Sequence, residues 1–361
     1  MTPPDTTGGG ATIDPLTLTC PVPIPEGARV ILWHGSGGQL SGALMRDVLA
    51  PCLADASPGG PLNDAAVLDL LGGRLAFTTD SFVVSPRVFP GGDIAELAVN
   101  GTVNDLAMMG AQPSGLSLAF VIEEGLPLAD LGALTASAAR AARRAGTRIV
   151  TGDTKVVGRG AADGLFVNTA GVGVVPDGVR LGAELARPGD AVLVSGPIGL
   201  HGVAIMSVRE GLEFEAEIAS DSQPLNGLVA AMLAVEPGIR VLRDPTRGGL
   251  ASALNEIAET SRVGIVLDDS AVPVPEPVRA ACEMLGLDPY HVANEGKLVA
   301  VVPDATADAV LAAMHALPEG DGAARIGTVV EAHPGMVTAR TLVGSERIVD
   351  MLVGEQLPRI C

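Results

Sequence analysis

Stretches with a β-type alternation of apolar residues and stretches with a helical repeat follow one another along this chain in two successive series. In the first, strand patterns at 75–79, 116–122, 148–151 and 165–174 are interleaved with helical patterns at 94–109 and 128–145. Pro176-Asp177-Gly178 and Arg187-Pro188-Gly189-Asp190 then interrupt the pattern. A second series opens at 191–195 and predicts strands at 239–242, 263–267, 298–302 and 325–330, with helices near 199–210, 224–235, 247–260, 275–286 and 306–316. The expected fold class is therefore α/β (α+β), with two mixed α/β domains at 29–178 and 179–343. Residues 1–28, with several prolines and Gly8-Gly9-Gly10, read as a flexible leader. Residues 344–361 read as a mobile tail: a last strand at 345–353, then a stretch without periodicity that gives little to a core. Fully extended, that arm spans about 60 Å at roughly 3.3 Å per residue.

Composition narrows the functions. At 361 residues and 47% hydrophobic content the chain can bury two cores. Its 42 acidic against 23 basic residues give a formal charge of -19 without a basic stripe, so no nucleic-acid partner is expected. The same acidity suits a divalent cation that brings in a phosphate ester, or serves solubility alone. With only 2% aromatics, the cores must be aliphatic layers of helix on sheet. Met1 to Gly10 lacks a basic and an apolar segment, and no apolar run reaches about 18 residues, so neither a signal peptide nor a membrane span is expected. The expected location is the cytoplasm. Cys20, Cys52, Cys282 and Cys361 show no CxxC spacing and read as free thiols, and the five histidines show no metal-ligand spacing.

Several residues carry possible chemistry. Asp93, with Glu96 three positions on, predicts an N-cap and capping box for the helix that follows. Ile94, Leu97, Ala98, Gly101 and Asp105 then share one stripe, which sets Asp105 on the core-facing side. Such an acid needs a partner, either a neighbouring loop or a magnesium ion. Further acids stand beside small residues at expected strand ends: Asp64, Asp80, Asp153 in Thr151-Gly152-Asp153-Thr154-Lys155, and Asp244 in Arg243-Asp244-Pro245-Thr246-Arg247-Gly248-Gly249. One such Asp is an ordinary turn-former, but four together favour an ion site. His34-Gly35-Ser36-Gly37-Gly38 and Arg247-Gly248-Gly249 could offer backbone N–H groups to phosphate. Neither is a P-loop, nor a G-x-G-x-x-G fingerprint, because Leu40 stands at the third glycine position. The chain ends on a thiol, Cys361, which can be carried between sites.

Taken in order, these blocks resemble the HypE family of carbamoyl dehydratases, which help make the cyanide ligands of nickel-iron hydrogenases. The resemblance runs from about residue 31 to the end, through the segments above, Thr79-Asp80-Ser81-Phe82-Val83-Val84, Phe89-Pro90-Gly91-Gly92-Asp93, Gly101-Thr102-Val103-Asn104-Asp105-Leu106-Ala107-Met108-Met109-Gly110, Ala293-Asn294-Glu295-Gly296 and the terminal Pro358-Arg359-Ile360-Cys361. The terminal block is the most specific, and the leader of about 28 residues departs from the pattern.

The resemblance implies an aminoimidazole-ribonucleotide-synthetase-like fold, a homodimer formed through the first domain, and ATP with Mg2+ in a cleft. It places Gly35, Gly37, Gly38, Asp80, Asn104, Gly152, Asp153, Thr154 and Arg247 at the nucleotide, and Asp64, Asp80, Asp105 and Asp244 at the metal. It implies that a carbamoyltransferase, HypF, loads Cys361 and that a HypC–HypD complex receives the cyano group. ATP would phosphorylate the carbamoyl oxygen, turning it into a leaving group, and a base would take the amide protons. Lys155, helped by Glu295, fits the base; Lys155 fits equally as a fixed cation on phosphate, and Glu295 as the cap of a loop. The competing enzyme is a synthetase of the same fold acting on a free small molecule, aminoimidazole- or selenophosphate-forming, in which the tail is irrelevant. A nucleotide-sensing scaffold is the non-enzymatic alternative.

Overall fold

Strict alternation in Leu165–Val175 (β7) sends Leu165, Val167, Thr169, Gly171, Gly173 and Val175 inward and leaves the intervening residues more exposed, as period-2 patterning requires. The structure is a computed structural model, and it describes residues 38–44, 46–47, 63–70, 73–211, 218–353, 357 and 359–361. The leader at 1–28, Gly35 and Gly37 lie outside the described residues. β7 is the central strand of a five-stranded sheet ordered β1-β2-β7-β5-β6, built with Ala66–Leu70 (β1), Gly73–Phe82 (β2), Gln112–Glu123 (β5) and Ile149–Val157 (β6). All neighbours are antiparallel except β5 and β6, which Leu128–Arg144 (α3) connects in parallel. Val88–Phe89 (β3) and Gly92–Asp93 (β4) form a small separate ribbon.

The helix that carries Asp105, Ile94–Met108 (α2), has no solvent face: every residue except Glu96 and Asp105 is buried. The expected amphipathic stripe is thus corrected. Small residues make the close approach possible. A Cβ on Gly101 would lie 2.8 Å from the Phe82 ring, and one on Gly171 2.8–3.0 Å from Thr102, Leu106 and Leu116. The first half of α2 packs with α3, β5 and β7, and its C-terminal end packs with the second domain. Asp93 caps it, accepting from the N–H of Ala95 at 2.9 Å and of Glu96 at 3.0 Å. The capping box is only half formed, because the Glu96 carboxylate accepts from Arg144 at 2.6 Å instead.

The second sheet has seven strands, Ala191–Val194 (β8), Val241–Arg243 (β9), Gly264–Asp268 (β10), Val299–Val302 (β11), Ala324–Val330 (β12), Val337–Arg340 (β13) and Glu346–Ile348 (β14), ordered β14-β13-β10-β12-β8-β11-β9. β8 and β11 are buried at every position, which explains their unbroken apolar sequences. Around it lie Leu200–Glu210 (α4), Asn226–Val235 (α5), Gly249–Ser261 (α6), Glu276–Leu285 (α7) and Ala307–His315 (α8). No helix among the described residues is long and apolar enough to cross a membrane.

Three sequence expectations change. β2 runs through Asp80 to Phe82, and β6 runs through Gly152-Asp153-Thr154-Lys155 to Val157, so these acids sit within strands rather than at their ends. Backbone pairing to β5 carries β6 past the point where its apolar pattern fades. The last strand is short, Glu346–Ile348, and the chain end contributes to the core: Leu357 is 6% and Ile360 2% exposed.

Candidate active site

Four segments from both sheets converge on one cavity of about 440 Å³, a volume typical of small-molecule sites. Asp80 comes from β2, Asp105 from α2, Asp64 from the lead-in to β1, Arg243 from the end of β9, and Asp244 and Arg247 from the loop that follows it; Glu295 and Cys361 also line the wall. Carboxylate oxygens of Asp64, Asp105 and Asp244 all lie within 4.8 Å of one another. Such an all-oxygen donor set fits a hard divalent cation such as Mg2+ and suits neither zinc nor copper as well.

Electrostatics show what that convergence costs. Burial first, then repulsion from Asp244, Asp64 and Asp80, pushes the Asp105 carboxyl well above the usual range, although the Thr78 hydroxyl donates to it at 2.8 Å. Burial and Asp64 push Asp244 up to about 8. Asp64 is raised mainly by burial, with Arg243 opposing. Arg243 is the internal counter-charge: its Nη1 stands 3.8 Å from Asp64 and its Nη2 pairs with Glu256. Burial disfavours the Arg243 cation, but Asp64 and Glu256 more than offset this and keep it charged.

Glu295 is 3% exposed, and its Oε1 finds no hydrogen-bond partner among the described residues. Burial, followed by Asp244, Asp80 and Asp221, raises its proton affinity strongly, with Arg247 opposing. Its loop is held from behind. The Asn104 side chain donates to the Gln223 and Glu295 carbonyls and accepts from the Leu225 N–H at 2.8 Å. The fully buried Asn294 donates to Pro245 O at 2.9 Å, tying the Asp244 loop to the Glu295 loop.

α6 opens on Gly248 and Gly249, both in the left-handed region at φ 77° and 63°. A Cβ on Gly249 would lie 2.5 Å from Tyr290 O, so this turn admits only glycine. The first turn faces the cavity through Gly249, Ser252 and Ala253, and Ser252 Oγ, buried without a partner among the described residues, adds a free polar group to the helix N-terminus. That combination suits an anionic oxygen of a phosphate.

The tail reaches this cavity alongside the residues that follow β2. The Val83 N–H donates to a Cys361 terminal oxygen at 3.1 Å and the Ser85 N–H to Arg359 O at 3.3 Å, while Arg359 Nε returns a bond to Val83 O at 3.0 Å. Arg359 also pairs with Asp163 at 2.7 Å.

Of the residues singled out from sequence, Asp64, Asp80, Asp105, Asp244, Arg247, Glu295 and Cys361 are together in the cavity wall. Asn104 lies behind it as a tether. Gly152, Asp153, Thr154 and Lys155 stand on the exposed edge strand β6, away from the cavity lining, and Lys155 Nζ pairs with Asp153 at 2.6 Å. Gly38 is buried and accepts from the Gly42 N–H at 3.0 Å, outside the lining. Sequence reasoning missed Arg243, Glu256, Thr78 and Ser252. Only Arg243, adjacent to Asp244, carried a signal that could have found it.

The AIR synthase related protein family matches this chain twice, its N-terminal domain at residues 62–175 and its C-terminal domain at 187–339. The carbamoyl dehydratase HypE of Azotobacter vinelandii is 57% identical over 328 residues, covering 91% of this chain and 96% of that protein. A solved HypE–HypF complex contains a chain 48% identical, with a TM-score of 0.81 over 86% of this chain and all (100%) of that one. A solved HypE in complex with ATP is 48% identical, with a TM-score of 0.78 over 91% of this chain and 98% of that one.

Protonation of the acid cluster sets a pH dependence. Carboxyls raised in the folded state bind protons there that the unfolded chain releases near pH 4. Their stabilisation is therefore full below about pH 4 and is lost as pH rises through about 8. In calorimetry, chelator-treated protein should melt at a lower temperature at about pH 8.5 than at about pH 6, Mg2+ should recover most of the difference, and Asp244→Asn should flatten the profile. A metal-free profile that stays flat or rises with pH would contradict the crowding.

Proposed function

This chain belongs to the HypE family of carbamoyl dehydratases of nickel-iron hydrogenase maturation, and on that premise we propose that the cavity dehydrates a carbamoyl group carried on its own Cys361, with ATP as co-substrate. The observation that carries this reading is the position of the terminal cysteine in the wall of the acid-lined cavity. S-carbamoyl-cysteine and ATP give S-cyano-cysteine, ADP and phosphate. The carbamoyl oxygen attacks the γ-phosphorus and ADP leaves; the C–O bond then breaks with the bonding pair departing on phosphate, while the nitrogen gives up its two protons.

Asp64, Asp105 and Asp244, with Asp80 beside them, would hold Mg2+, whose charge would neutralise the phosphate oxygens. The α6 N-terminus and Arg247 would receive phosphate. Of the two groups considered for the amide protons, Glu295 is the one within the cavity, and its unpartnered Oε1 suits a proton acceptor. Burial is the main cause of the raised proton affinity of Glu295, and cation binding to the neighbouring acids would offset the repulsion that adds to it.

Lys155, exposed on β6, enters through a homodimer and would act as a cation on phosphate there. Leu68, Phe77, Val172 and Val174 are 40–48% exposed on one face of the first sheet, aligned by the pairing of β1, β2 and β7. A second copy laid on that face would cover an apolar patch otherwise left to water and bring β6 into the contact. HypF would load Cys361 and a HypC–HypD complex would take the cyano group. The cytoplasm, with its ATP and reducing poise, would keep Cys361 a thiol.

Mass spectrometry tests the chemistry. With HypF, carbamoyl phosphate and Mg-ATP, Cys361 should gain a carbamoyl group and then lose one water. Glu295→Gln should leave loading intact and slow water loss by about 10²-fold or more. ATP-dependent turnover of a free small molecule by a chain lacking Cys361 would favour the synthetase reading. Sedimentation should give a species of twice the 36.4 kDa chain mass, and Phe77→Glu should dissociate it; a monomer at micromolar concentration would remove the proposed role of Lys155.

A further inference from the structure

We infer that His201 and Arg209, both on α4, form a dock that sets the register of the C-terminal tail, and that they serve as positioning residues for Cys361. This deepens the reading in which Cys361 reacts in the cavity of its own chain.

The two bonds from the Val83 and Ser85 N–H groups to tail carbonyls run through backbone atoms and would form in more than one register. A shift of one residue along these partners would move Ile360 out of its buried site and Cys361 away from its place in the cavity wall. The Arg359 side chain helps to choose among them through Val83 O and Asp163, and two further groups that distinguish one register from the next come from α4. His201 is fully buried, and its Nε2 lies 2.8 Å from the Ile360 carbonyl. A carbonyl only accepts, so Nε2 carries the hydrogen. Nδ1 then accepts from the Ser220 hydroxyl at 2.7 Å, whose oxygen in turn accepts from the Ser222 N–H at 3.1 Å. Full burial lowers the proton affinity of the ring and so favours this one neutral tautomer, and the Phe89 ring packs edge-on against it at 5.5 Å.

Eight residues along α4, Arg209 donates to the Arg359 carbonyl and, at 2.5 Å, to the Ser85 carbonyl, clamping the tail to the strand it joins. The Ile360 side chain, 2% exposed, fills the core while its carbonyl meets His201. Two donors on consecutive carbonyls thus select one register, and that register puts Cys361 in the cavity wall. When the tail leaves to be loaded, the His201 Nε2–H loses this acceptor in a buried place, which favours return.

The test separates docking from chemistry. Iodoacetamide labelling of Cys361 in the full-length protein, followed by peptide mass mapping, needs neither ATP nor the transferase. His201→Phe and Arg209→Met should each speed Cys361 labelling by about three- to tenfold, the size expected for one lost hydrogen bond. His201→Gln, which retains an N–H donor, should restore labelling toward the unsubstituted rate. Loading by HypF should proceed at an undiminished rate in both variants, while subsequent water loss slows. Arg209→Met, at a half-buried site, decides the matter if His201→Phe does not fold. Labelling within twofold of the unsubstituted rate in the folded variants would overturn the dock, as would slower water loss without faster labelling. Absence of water loss in the unsubstituted chain would instead count against the dehydration reading and leave the labelling result to judge the dock.

Discussion

Buried carboxylates without enough counter-charge are the constraint on which the rest of this protein depends. Asp64, Asp105 and Asp244 are pressed together with Asp80 and Glu295 close by, and the internal cation nearest to them, Arg243, is shared with Glu256. In apolar surroundings such a cluster is tolerated by holding protons or by binding a cation. A protein gains nothing in stability from this arrangement, which supports the proposed role of the cluster as a site for a metal and the phosphates that follow it.

The fold keeps the acids in place by burying the helix that carries one of them. α2 lies between the first sheet and the second domain with only Glu96 and Asp105 not fully enclosed, so Asp105 has little freedom to turn away. Glycines at 101 and 171 let helix and sheet approach, and Asn104, one residue before Asp105, fastens the loop that presents Glu295. The proposed metal ligand and the proposed proton acceptor are therefore positioned through neighbouring residues of a single helix. The thiol proposed to carry the substrate reaches the cavity along the residues that follow β2, the strand that supplies Asp80.

Much of the architecture was legible in the sequence because helical and strand periods are local properties. The α2 limits, the cap at Asp93 and the buried runs of β8 and β11 follow from side chains within a few residues of one another. What was not legible depends on distant partners. β6 continues past Thr151 because β5 pairs with it, and its side chains from Val150 to Val156 are all exposed, so no apolar pattern marked it. The chain end looked dispensable, yet Leu357 and Ile360 reach a core assembled from residues far earlier in the chain. The acids of the site stood out, being beside small residues at the edges of apolar runs. His201, one of five histidines without metal-ligand spacing, gave no local hint that its ring meets the tail.

The central claim is that the carbamoyl group on Cys361 and the cation on the acid cluster occupy one cavity. It is tested most directly by paramagnetic relaxation from Mn2+, in place of Mg2+, acting on a ¹³C-carbamoyl label at Cys361 in the presence of a non-hydrolysable ATP analogue. The account predicts severe broadening of the label signal that Asp105→Asn relieves by weakening the cation. A sharp signal at saturating Mn2+, with the cation bound at the acids, would contradict it.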